Sequence, residues 1–237
     1  MNTLILAYHR INDWSEDTLT VHPAVFRKQL NYLAEKYRFV PLPELVAART
    51  KESKPKERLA AITFDDGYFD NYLQAWPVLK ELKLTATFFL TAGYIGTNQL
   101  LPRDVKRGDT EKDRVLNWTE VLEMKKTGFT FGSHSLTHAN LVSVGPERAR
   151  KEIEESKNIL EAHLPEPALF FCYPFGSYSP EVEKMVAEAG YRAAFVTPPV
   201  RGKGFLKRIF TPDNRFSLRR VGIYRHTTDR QLRLKTL

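Results

Sequence analysis

The sequence has almost no cysteine. Cys172 is the only one in 237 residues, so no intrachain disulfide can form and no cysteine cluster can hold a metal. No apolar run is long enough to span a bilayer. The opening residues carry no basic stretch, no long apolar stretch and no small-residue cleavage site before Leu4-Ile5-Leu6-Ala7-Tyr8-His9. That start predicts a chain that is not exported and stays cytoplasmic, with at most peripheral contact at the inner membrane face. Internal repeats and low-complexity tracts are also missing.

What is present is a large apolar fraction, 42%, with 15 Phe, 10 Tyr and 3 Trp. Such a chain can bury a full core, and one domain over residues 1–237 is expected. The net charge is +8, and its placement is uneven. Residues 201–237 hold 11 Lys or Arg against Asp213 and Asp229, a surplus of +9, whereas residues 1–200 carry −1. A basic C-terminal segment favours an anionic membrane surface or a phosphate-bearing carrier. A solvated basic face with no dedicated partner is the alternative. Nucleic acid is not expected, because no known binding module surrounds these residues.

Chemistry is concentrated in Ala60-Ala61-Ile62-Thr63-Phe64-Asp65-Asp66-Gly67-Tyr68, where a β-branched and aromatic run stops on two carboxylates. The run reads as a buried parallel strand. Adjacent buried aspartates need a cation beside them, and Gly67 allows a tight turn. An ordinary Asp-Gly turn after a core strand is the plain alternative.

Strand and helix patterns alternate along most of the chain. Strands are expected at Leu4–Tyr8, Phe39–Val40, Ala60–Phe64, Thr85–Thr91, Phe129–Ser133, Ala168–Tyr173 and Arg192–Val196, with an edge strand in Leu218–Tyr224. Helices are expected from Pro23, around Glu44–Ala48, over Asp70–Leu82 with a kink or offset at Pro77, over Trp118–Lys126 with Val121, Leu122 and Met124 facing in, over Pro146–His163, and from Pro180 to Gly190. Residues 93–114 read as a long loop over a site. The pattern predicts an α/β fold, a distorted (β/α) barrel with about seven parallel strands, and such barrels place their chemistry at the C-terminal strand ends. His9, Asp65, Asp66, His134 and the Phe175-Gly176 turn all follow apolar runs.

His134-Ser135-Leu136-Thr137-His138 sets two imidazoles four residues apart. On a helical turn they would share a face and could bind one cation with Asp66. Thr63-Phe64-Asp65-Asp66-Gly67 followed by His134-Ser135-Leu136-Thr137-His138 resembles the first two motifs of the polysaccharide deacetylases, the NodB-homology or carbohydrate esterase family 4 enzymes. Pro174-Phe175-Gly176 resembles the end of their third motif. Ala7-Tyr8-His9-Arg10 is similar to the start of the branch acting on poly-β-1,6-N-acetylglucosamine.

The resemblance implies a TIM-related barrel and hydrolysis of an N-acetyl group on a glycan. It makes Asp66, His134 and His138 ligands of one divalent metal, zinc foremost, with cobalt or nickel as other choices. It makes Asp65 the general base, the Phe175 backbone amide an oxyanion donor and His9 the acid for the leaving amine. Cys172 stands where the third motif usually has an arginine that orients the base, and Arg220 is the candidate replacement. Tyr68, Tyr94 and Tyr178 are candidate sugar contacts. A catalytically silent carbohydrate-binding relative, and an amidase or deformylase on a non-polymeric substrate, remain as alternatives.

Overall fold

The computed structural model describes residues 2–50, 55–107, 111–197 and 214–236. Parallel pairing dominates. Strands β1 (Thr3–Tyr8), β5 (Leu59–Phe64), β6 (Thr87–Leu90), β7 (Thr130–Ser133), β8 (Phe170–Cys172) and β9 (Ala193–Val196) form the body of a nine-stranded sheet. The two-residue strands β4 (Arg38–Phe39), β10 (Leu218–Arg219) and β11 (Val221–Gly222) complete it, and β2 (Arg10–Ile11) pairs separately with β3 (Thr20–Val21).

The sheet order is β10-β9-β8-β7-β6-β5-β1-β11, with β4 on β5. Its two ends, β10 and β11, are separated in sequence by Arg220 alone, so the distorted barrel nearly closes at that residue. Among the described residues the expected strands recur, Phe39–Val40 as β4, and the expected edge strand in Leu218–Tyr224 takes the form of two short strands, β10 and β11, one at each end of the sheet.

Burial on both strand faces explains why these strands read as unbroken apolar runs. Side chains alternate across the sheet: Leu4, Leu6 and Tyr8 of β1 join the layer under the helices, while Ile5 points into the barrel with Ala61, Phe89, Cys172 and Phe195. Helices α1 (Pro23–Ala34), α2 (Leu42–Arg49), α3 (Trp76–Glu81), α4 (Pro102–Arg107), α5 (Trp118–Lys126), α6 (Pro146–His163), α7 (Pro180–Glu188) and α8 (Asp229–Lys235) connect or flank the strands. His22 caps α1, its Nδ1 accepting from the Ala24 amide at 3.2 Å.

The offset expected at Pro77 takes the form of a π-helical segment, Asn71–Ala75, running into α3. Proline lacks the amide that a regular turn would need there. The stretch from 93 to 114 is less irregular than expected, since α4 lies within it. Leu122 is 36% exposed, so only Val121 and Met124 of the expected trio face inward. Residues 201–213 of the basic segment lie outside the described residues; α8, within that segment, contacts α1 through Lys28 and Asp229.

Immediately after β1 the chain enters a buried ionic cluster. The Arg10 guanidinium faces Asp70 (Nε to Oδ2, 3.4 Å), Asp104 (3.6 Å) and Asp113, and lies 4.5 Å from the Tyr68 ring centre. Burial pushes the Asp70 carboxyl up to about 6, against the opposing pull of Arg10 and of the Asn12 and Ile11 donors. In the unfolded chain it titrates near 3.8. Between those values the native state holds a proton that the unfolded state has released, so Asp70's contribution is greatest at low pH and is lost as pH rises through the window, by about 3 kcal/mol. Urea unfolding at pH 4 and pH 7 should show the wild type losing about that much relative to Asp70→Asn.

Candidate active site

The C-terminal ends of the strands surround a groove of about 630 Å³, within the range of small-ligand sites. His9 enters it after β1, Asp65 and Asp66 after β5, His134 and His138 after β7, Phe175 after β8 and Thr197 after β9. Leu19, Leu101, Pro102 and Arg103 form a further wall.

The backbone is bent to present these groups. Asp66, Ser135, His138 and Phe175 all have left-handed φ values, between 60° and 72°; Lys83 is the one other such non-glycine among the described residues. Strain of this kind persists only where the surroundings impose it. Gly67 follows with φ 80° and packs its backbone on Leu90, where an added Cβ would meet the side chain at 2.9 Å. The two histidines do not lie on a helical turn, as the spacing predicts. Instead Ser133 Oγ accepts from the Ser135 amide and Ser135 Oγ from the His138 amide, at 3.1 and 3.0 Å, and these bonds fold a bend that aims both rings at Asp66.

His134 Nε2 and His138 Nε2 lie 3.4 and 3.2 Å from Asp66 Oδ1, which is buried and lacks a hydrogen-bond partner among the described residues. The three ligand atoms lie within 4.8 Å of one another. His134 Nδ1 is engaged by the Cys172 carbonyl at 2.8 Å, which leaves Nε2 for a cation. Two imidazoles and a carboxylate with one oxygen left over fit a divalent metal. Burial pushes the Asp66 carboxyl up, but the two imidazoles outweigh it and hold the group well below the usual range.

A second grouping, Asp65, His134 and Cys172, is just as compact. It is a poor cation site, because the Arg220 guanidinium already fills it. Arg220 Nη1 and Nη2 donate to Asp65 Oδ1 and Oδ2 at 2.7 and 2.6 Å, a bidentate pair. The same group reaches Thr63 Oγ1, Thr197 Oγ1 and Cys172 Sγ, each at 2.9 Å. Burial pushes the Asp65 carboxyl up and Arg220 more than offsets it, so Asp65 is held below its ordinary value. His9 Nε2 stands 3.7 Å from Asp65 Oδ2, and burial lowers the pKa of this imidazole.

Thus Asp65, Asp66, His9, His134, His138, Phe175 and Arg220 share one groove. The three tyrosines do not. Tyr68 is a correction: its fully buried hydroxyl donates to Asp104 at 2.9 Å, beneath the groove rather than in it. Tyr94 and Tyr178 are half-buried and absent from the groove's lining, Tyr178 stacking on Tyr173 at 5.5 Å. Trp118 is also elsewhere, stacked on His163 at 3.9 Å. Residues that sequence reasoning did not single out are Thr197 and Tyr224. No local motif marks either, and both arrive through the strand ends β9 and β11.

Residues 52–194 match the family model described as polysaccharide deacetylase. His9 and Arg220 lie outside that match. The chain is 30% identical over 196 residues to "Putative polysaccharide deacetylase YxkH" of Bacillus subtilis (strain 168), covering 82% of this chain and 64% of that relative's length. It is 24% identical over 212 residues to the poly-beta-1,6-N-acetyl-D-glucosamine N-deacetylase of Staphylococcus aureus (strain MRSA252), covering 83% of this chain and 69% of that one. Among solved structures, the Streptococcus pyogenes deacetylase PplD in complex with acetate superposes with a TM-score of 0.79 at 24% identity, over 99% of this chain and 97% of that one. No helix among the described residues is long and apolar enough to cross a membrane.

Proposed function

Because the chain belongs to the polysaccharide deacetylase family, we propose that it hydrolyses the N-acetyl amide of an amino sugar in a glycan and releases acetate. The observation that carries this reading is the convergence, in one groove, of the Asp66-His134-His138 donor set and the Arg220-Asp65-His9 set. The name of the staphylococcal relative points to an N-acetylglucosamine polymer as the substrate class. The +9 surplus in residues 201–237 supports an anionic carrier or membrane surface near the substrate. In this reading residues 1–237 act as one catalytic domain.

Asp66, His134 and His138 would hold a divalent cation, zinc being the one that suits this donor set, which when bound would supply Lewis-acid activation of water and of the amide carbonyl. Asp65, kept ionised by Arg220, takes the proton from the attacking water. The Phe175 amide donates to the developing oxyanion. His9, at the same carboxylate, delivers a proton to the amine as the carbon–nitrogen bond breaks. Cys172 in the arginine position would favour a catalytically silent relative; the Arg220–Asp65 pair argues against it, since another cation meets Asp65.

The test is elemental analysis of the purified protein beside acetate release from N-acetylglucosamine oligomers. One bound divalent ion per chain, with release abolished by chelation and restored by zinc, is the expected result. An intact protein that takes up no zinc, cobalt or nickel would refute the ligand assignment. Metal binding without release from oligomers, lipid-linked or nucleotide sugars would refute the reaction.

A further inference from the structure

A proton-donating imidazole works in one orientation, normally set by a hydrogen bond to its other nitrogen. His9 lacks that support. Its Nδ1 is buried and has no hydrogen-bond partner among the described residues, while Nε2 faces Asp65 at 3.7 Å. What lies along the ring is Tyr224, stacked at 6.2 Å between centroids with 30° between planes.

Tyr224 is placed there by a notch in the closing strand. A Cβ built on Gly222 would fall 2.4 Å from the Tyr224 hydroxyl oxygen and under 3 Å from two further ring carbons. The phenol therefore occupies the space that any side chain at 222 would take. Gly222 is fixed by its pairing with Ala7, at the end of the strand that carries His9. Strand β1 and the seam strand β11 thus hold the two rings against each other.

We propose that Tyr224, seated over Gly222, is the positioning residue of His9, setting by ring stacking the imidazole plane that a hydrogen bond sets elsewhere. The inference rests on His9 being the acid of the proposed hydrolysis. It makes Gly222 a requirement of catalysis, because a side chain there would displace the Tyr224 ring.

The test uses the full chain with its metal. Tyr224→Ala is expected to lower kcat on N-acetylglucosamine oligomers about 10- to 100-fold, through misplacement of the acid. KM should stay within about threefold, as for an interaction used only in the transition state. On 4-nitrophenyl acetate, whose leaving group needs no proton, the same variant should lose no more than about threefold. Tyr224→Phe keeps the ring and should recover most of the amide activity. Gly222→Ala should reproduce the Tyr224→Ala defect with Tyr224 intact.

Equal loss on amide and ester, or a rise in KM alone, would overturn the proposal. NOEs from the His9 ring protons, assigned with His9→Ala, to groove residues other than Tyr224 read the ring's placement without turnover. They should change in Tyr224→Ala and return to the wild-type pattern in Tyr224→Phe. Unchanged NOEs in Tyr224→Ala refute the positioning whatever the reaction. Changed NOEs in a protein that releases no acetate uphold the positioning and refute the proposed chemistry instead.

Discussion

Asp65→Asn is expected to lower acetate release by about 10²- to 10⁴-fold, the range a positioned base contributes, while metal content stays unchanged. The carboxylate pairs with Arg220 and faces His9 Nε2 at 3.7 Å. Asparagine has the same shape and can still accept from one guanidinium nitrogen, so the groove keeps its form and loses its proton acceptor. The substitution also leaves Arg220 buried without a counter-charge, and melting temperature should fall together with activity. Acetate release at the wild-type rate would place the base elsewhere. Lost metal would mean that the effect ran through the neighbouring Asp66.

Arg220→Met is expected to be the more damaging change to the fold. It removes one partner of a buried ion pair, at a cost of about 3–5 kcal/mol, or a melting-temperature drop on the order of 10 °C for a chain of this size. Arg220 is also the residue between β10 and β11, and its side chain ties Thr63, Asp65, Cys172 and Thr197 together under the groove. Methionine has a similar length and no charge, so it leaves Asp65 desolvated and unpaired. The double variant Asp65→Asn, Arg220→Met should lose less stability than the two single losses added together, because neither charge is then stranded. Additive losses in thermal unfolding would show that the pair is not coupled, and that Arg220 acts through the seam alone.

Several elements were legible in the chain because their causes are local. Apolar runs ending on His9, on Asp65-Asp66 and on His134 mark strands whose C-terminal ends carry polar groups, and alternation with helical patterns is enough for a parallel barrel. The proline and glycine signals set the ends of α6 and α7 within a residue or two. His134 and His138 were legible as a pair, though their geometry was not. Their shared direction comes from serine-capped bends with left-handed backbone, which a four-residue spacing does not distinguish from a helical turn.

What the sequence by itself determined is the class of fold and the placing of Asp65, Asp66, His134 and His138 at strand ends, since these follow from apolar runs and residue type, with the family resemblance supplying the roles proposed for them. The sequence named Arg220 only as a candidate for Asp65; tertiary structure decided the bidentate geometry of that pair, where the sheet ends meet and which ring lies along His9. Arg220 lies 155 positions from Asp65 and Tyr224 lies 215 from His9. The two-residue strands that deliver them have no period to read. Tyr68, two residues from Asp66, is in turn drawn away from the groove by Arg10 and Asp104, because a buried cation and carboxylate need its ring and hydroxyl more than an open groove does.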